Sequence, residues 1–90
     1  MSPTLQIKAI LIDLEPKTDK NNNPYFRLSL AGMPGRYFYA FSFNLPEITF
    51  KTLTSSPHNF LNRQVLITYQ ELPNQDHQGV FFKVKDLQIT

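Results

Sequence analysis

Ninety residues, 41% of them hydrophobic, and a formal net charge of +2 give room for one domain over residues 1–90 with one modest core. The absence of cysteine excludes a disulfide scaffold, a thiol nucleophile and a thiolate metal site. The seven acids show no D-x-D or H-x-x-x-H spacing, and three glycines leave no material for a phosphate-cradling loop.

His58 and His77 fall in predicted loops about twenty residues apart with no cysteine to activate, so the expectation is a non-enzymatic protein without metal or cofactor. Met1-Ser2-Pro3-Thr4 has neither the positive flank nor the apolar core of a signal peptide. No apolar run approaches the roughly 20 residues that span a bilayer. A soluble, intracellular domain is expected, in the cytoplasm or with the nucleic acid of a nucleoid or nucleus, and not secreted.

The first strand is predicted over Leu5–Glu15. Leu5, Ile7, Ala9 and Leu11 alternate with polar neighbours, and Ile10 and Ile12 then make both faces apolar, as at a barrel corner where one strand serves two sheets. Pro16–Pro24 is a polar loop. Tyr25–Leu30 alternates strictly, with Phe26, Leu28 and Leu30 on one face and Tyr25, Arg27 and Ser29 on the other. Ala31–Gly35 supplies a turn. Arg36–Asn44 is the return strand, and its more apolar face, Tyr37, Tyr39, Phe41 and Phe43, is expected inside, leaving Arg36, Phe38, Ala40 and Ser42 outside.

Leu45–Thr54 changes period. Asn44 is placed to cap a short helix, Pro46 suits its first turn, Glu47 its positive end, and Ile48, Phe50 and Leu53 its packed side. Gln64–Leu72 directs Val65, Ile67 and Tyr69 one way. Pro73–Gly79 is a second polar loop. Val80–Ile89 then turns Val80, Phe82 and Val84 inward and Phe81, Lys83 and Lys85 outward, with Leu87 and Ile89 completing the core. The order β-β-β-α-β-β makes the fold class all-β, a five-stranded Greek-key barrel with one short helix between strands three and four.

Seven of the twelve aromatic residues lie within residues 21–44. The predicted facing puts Tyr25, Arg27, Arg36 and Phe38 together on the outer side of the hairpin. Two aromatics interleaved with two arginines form a surface on which bases stack while phosphates are neutralised.

Several stretches resemble OB-fold domains, such as those of bacterial replicative polymerase catalytic subunits and of replication protein A. KTDKNNNPYFRLSLAG is similar to the thr-lys-x-gly-x-pro-tyr approach to strand two, RYFYAFSFN to strand three, NRQVLITYQEL to strand four and VFFKVKDLQI to the close of strand five. Ala9 stands where strand one often has glycine, and Asn62-Arg63 where glycine usually precedes strand four. The resemblance implies that single strands cross strands two and three, flanked by the loops between strands one and two and between strands four and five. Those loops add Lys17 and Lys20 on one side and Gln75, His77 and Gln78 on the other, and Phe81, Lys83 and Lys85 form a second outer cluster. The function implied is single-stranded nucleic-acid binding, DNA ahead of RNA, in replication, recombination or repair. Exposed aromatics also mark protein interfaces, so docking of a partner protein or a second copy is the alternative.

Overall fold

The computed structural model describes residues 3–73 and 80–90. The expected elements follow in order: β1 (Thr4–Thr18), β2 (Pro24–Leu30), β3 (Tyr37–Phe41), α1 (Glu47–Ser55), a single 3-10 turn at Pro57–Asn59, β4 (Gln64–Pro73) and β5 (Val80–Ile89). The strands close into a barrel in the order β1-β2-β3-β5-β4, with β3 and β5 running parallel and the other neighbours antiparallel. This is the OB fold.

β1 is longer than expected and serves both sides of the barrel. Thr4–Ile10 pairs with β4, Leu11–Thr18 pairs with β2, and the register slips between Leu11 and Asp13. The doubled apolar run Ile10–Leu11–Ile12 marks that corner. Leu11 is fully buried, whereas Ile12, at the slip, is 52% exposed. A second irregularity lies between β4 and β5, where Tyr69 pairs with Val84 and Thr68 with Asp86, passing over Lys85. Each inserted residue changes the phase of the pleat. Leu11 and Leu14, three residues apart, can therefore both pack on the core, and so can Val84 and Leu87. An aspartate follows each insertion, and its Oδ1 accepts the next backbone N–H at 2.9 Å, Asp13 from Leu14 and Asp86 from Leu87.

The core contains Phe26, Leu28, Leu30, Val65, Ile67, Phe82 and Val84, as expected. The facing of β3 is the reverse of the expectation. Phe38 and Ala40 are buried, while Tyr37, Tyr39 and Phe41 lie on the outer side, so the placement of Phe38 outside and of Tyr39 and Phe41 inside is corrected. The hairpin register is the cause. Leu28 pairs with Phe38 and Phe26 with Ala40, and directly opposed residues in an antiparallel pair share a face. Setting Ala40 against Phe26 also balances volume inside the barrel, where Phe38 stacks on Phe82 at 4.9 Å and meets Tyr69 edge-on at 5.1 Å.

Helix α1 starts from Pro46, and Asn44 is not its cap. The Asn44 N–H instead donates to the Phe41 carbonyl, closing the turn that leaves β3. Leu53 is buried and Phe50 lies 5.4 Å from Phe26, so the helix covers that part of the core. Ile48, expected on the packed side, is 72% exposed. Ile89 ends β5 largely exposed as well. Two asparagines, Asn22 (φ 65°) and Asn62 (φ 61°), hold left-handed backbone. Both occupy positions where the resembling pattern carries glycine, and asparagine is the side chain that best tolerates this conformation. No helix among the described residues is long and apolar enough to cross a membrane.

Candidate functional site

The outer faces of β2, β3 and β5 carry a groove of about 490 Å³ lined by Asp19, Tyr25, Gly35, Arg36, Tyr37, Tyr39, Phe41, Phe81 and Phe82. Its floor follows from the register. Tyr25 lies opposite Phe41, Arg27 opposite Tyr39, Ser29 opposite Tyr37, and Tyr39 beside Lys83. The rings form a chain. Phe43 lies 5.2 Å from Phe41, Phe41 4.9 Å from Tyr25, Tyr25 6.1 Å from Tyr39, and Tyr39 6.3 Å from Phe81. The contacts between the rings are tilted or edge-on, and Tyr25, Tyr39, Phe41 and Phe81 are half-buried while Phe43 is exposed.

At one end the loop after β1 is built on Asp19. Its Oδ1 accepts the backbone N–H groups of Asn21 and Asn23, both at 2.8 Å, and its Oδ2 accepts the Asn23 side-chain amide at 3.3 Å. Those bonds, the Asn23 backbone bond foremost, hold the Asp19 carboxyl below the usual aspartate range. The polar loop after β1, held together by Asp19, thus forms a wall of the groove beside Tyr25. At the other end Arg36 stands one residue before β3, exposed, with its guanidinium 5.8 Å from the Phe82 ring.

Arg27 is differently placed. Its Nη2 donates to Glu15 Oε1 at 2.7 Å, its guanidinium lies 4.3 Å from the centre of the Tyr37 ring, and its Nε is buried without a partner. The Arg27 hydrogen bond is the main cause that lowers the Glu15 carboxyl, and the same bond raises the guanidinium. Lys17 reaches the other oxygen of Glu15 at 3.6 Å.

Of the expected site residues, Tyr25, Arg36 and Phe81 line the groove. Lys17, Arg27 and Lys83 share the outer sheet beside it, Lys20 is exposed in the Asp19 loop, and Lys85 sits at the β5 irregularity. Phe38 does not belong to this surface, because it is buried in the core. Gln75, His77 and Gln78 lie outside the described residues. Sequence reasoning missed Tyr37, Tyr39 and Phe41. The signal for them was chemical: two tyrosine hydroxyls favour the wet side of a strand whose other side offers Phe38 and the small Ala40.

No protein-family model and no curated protein matches the chain. Among solved structures, the crystal structure of the mitochondrial single-stranded DNA binding protein Rim1 from S. cerevisiae is similar, with a TM-score of 0.73 over 99% of this chain and 94% of that one. The two are 18% identical, and the likeness establishes the fold.

Proposed function

We propose that this barrel binds single-stranded nucleic acid, DNA in preference to RNA, along the groove on β2, β3 and β5. The observation that carries this is the run of outward aromatic rings, Tyr25, Phe41, Tyr39, Phe81 and Tyr37, with the exposed Arg36 on its rim. Bases of any identity stack on such rings, each stacked base contributing about 1–3 kcal/mol. Phosphates are neutralised by Arg36 and by the flanking lysines, Lys20 and Lys83. With a net charge of +2, affinity rests more on stacking than on charge. The preference for DNA draws on the similar structure's single-stranded DNA-binding protein. A role in replication, recombination or repair suits that chemistry.

Fluorescence anisotropy with labelled oligo-dT, oligo-rU and duplex DNA tests the proposal. Oligo-dT should bind with a shallow dependence on salt, oligo-rU more weakly, and duplex weakest of all, because paired bases present no free face. Equal binding of duplex and single strand would contradict it. A partner protein is the second reading, favoured by Phe43 (63% exposed) and Ile48, apolar side chains outside the groove lining. It takes over if no oligonucleotide binds.

A further inference from the structure

The two arginines of the outer surface are not equivalent, and their surroundings assign them different work. Arg36 lines the groove. Arg27 is absent from that lining and sits against the Tyr37 ring, with one nitrogen held by Glu15 and its Nε closed off from solvent. A phosphate ligand needs an accessible guanidinium edge and an uncommitted charge. Arg27 is paired with Glu15, its guanidinium lies over the tyrosine ring, and only 28% of its side chain is exposed. Tyr37, by contrast, is 37% exposed and borders the groove, so the ring is shared between the arginine and the open surface.

We propose that Arg27 is a positioning residue and not a phosphate ligand: braced by Glu15, it fixes the Tyr37 ring so that a base entering the groove meets a preorganised platform. This rests on the nucleic-acid reading of the groove. Its energetic logic is that a ring already ordered loses less rotamer freedom when the base arrives. Lysine cannot do the same, having neither the planar face nor the fork.

The test is a salt series of anisotropy titrations with oligo-dT of about 16 nucleotides, the upper site size for one OB fold. It compares wild type with R27A, R27K, R36A, Y37A and the double variant R27A/Y37A. R36A should flatten the log–log salt slope by about 0.7, the value of one phosphate contact to a single strand. R27A should weaken binding about fivefold or more at every salt concentration, the loss of most of one stacking contact, with the slope unchanged. R27K should bind as weakly as R27A, and R27A/Y37A no more weakly than Y37A. A slope reduction in R27A equal to that of R36A, or wild-type affinity in R27K, would overturn the positioning role while leaving the groove as the binding site. R27K keeps the charge and so separates loss of charge from loss of the planar fork. Thermal melts of R27A and R27K followed by circular dichroism should show both folded. An unfolded variant would leave the weakened binding with no bearing on positioning, and R27A/Y37A would then bind more weakly than Y37A, contrary to the positioning role. Failure of wild type to bind oligo-dT at low salt would overturn the nucleic-acid reading itself.

Discussion

The side chains of β3 separate two kinds of aromatic residue that look alike in the sequence. Tyr39 borders the groove, so Tyr39→Ala should weaken single-strand binding by about 1–3 kcal/mol and leave the fold intact, and Tyr25→Ala should do the same. Phe38, fully buried between Phe82 and Tyr69, should behave oppositely. Phe38→Ala should cost about 3–5 kcal/mol of folding stability in urea titration, a large share of what a domain of this size has. At this scale the sequence was only half legible. Tyr25 and Phe81 could be picked out by alternation and Arg36 by residue type alone, but the choice of face on β3 turned on which residue Leu28 meets across the hairpin. Apolar content pointed to the wrong side because Tyr37, Tyr39 and Phe41 are themselves large. Asp19 offers a pH test. Its folded-state pKa lies below the unfolded one, so the stability it contributes is present above the ordinary aspartate range and is lost as pH falls through that range and below. Asp19→Asn should therefore flatten the acid limb of thermal stability against pH, as followed by circular dichroism.

Strands, turns and their irregularities were legible where local chemistry decides them. The alternation of β2 and the doubled apolar stretch of β1 both appear in the structure as read. The insertions near Ile12 and Lys85 were not legible, since nothing in the run of residues states where a pleat changes phase. Only the aspartate after each, bonding to the next N–H, hints at it. The helix cap was misplaced because the helix begins at Glu47 with Pro46 at the cap position, which leaves Asn44 two residues short of it, in the turn after Phe41. Asn62 is the sharper test of this scale. It holds φ 61° before β4, with its N–H donating to the Leu11 carbonyl at 2.7 Å. Asn62→Gly should be close to neutral, and Asn62→Ala should cost about 1–2 kcal/mol, the penalty of a Cβ in left-handed backbone. Paired urea denaturation curves would show whether that ordering holds.

The whole barrel was the most legible level, since the order of elements and their length admit few closed solutions. Closure itself depends on pairing that no local signal specifies. β3 joins β5 at Phe38 with Phe82 and Tyr39 with Lys83, a short parallel seam beneath the groove, whereas β1 and β4 pair continuously from Thr4 with Gln70 to Ile10 with Gln64. Native-state hydrogen exchange should find the β3–β5 seam opening more readily than the β1–β4 ladder, and protection there should rise when the groove is occupied. The most direct measurement of the central claim is an amide chemical-shift map of the protein titrated with oligo-dT. The shifts should gather on β2, β3 and β5 around Tyr25, Arg36, Tyr39 and Phe81 and on the Asp19 loop, leaving unmoved α1 and the shallow cleft between it and the end of β5 that Ile48, Phe60 and Ile89 line. Shifts centred on Ile48, Phe60 and Ile89, with the aromatic groove silent, would contradict it.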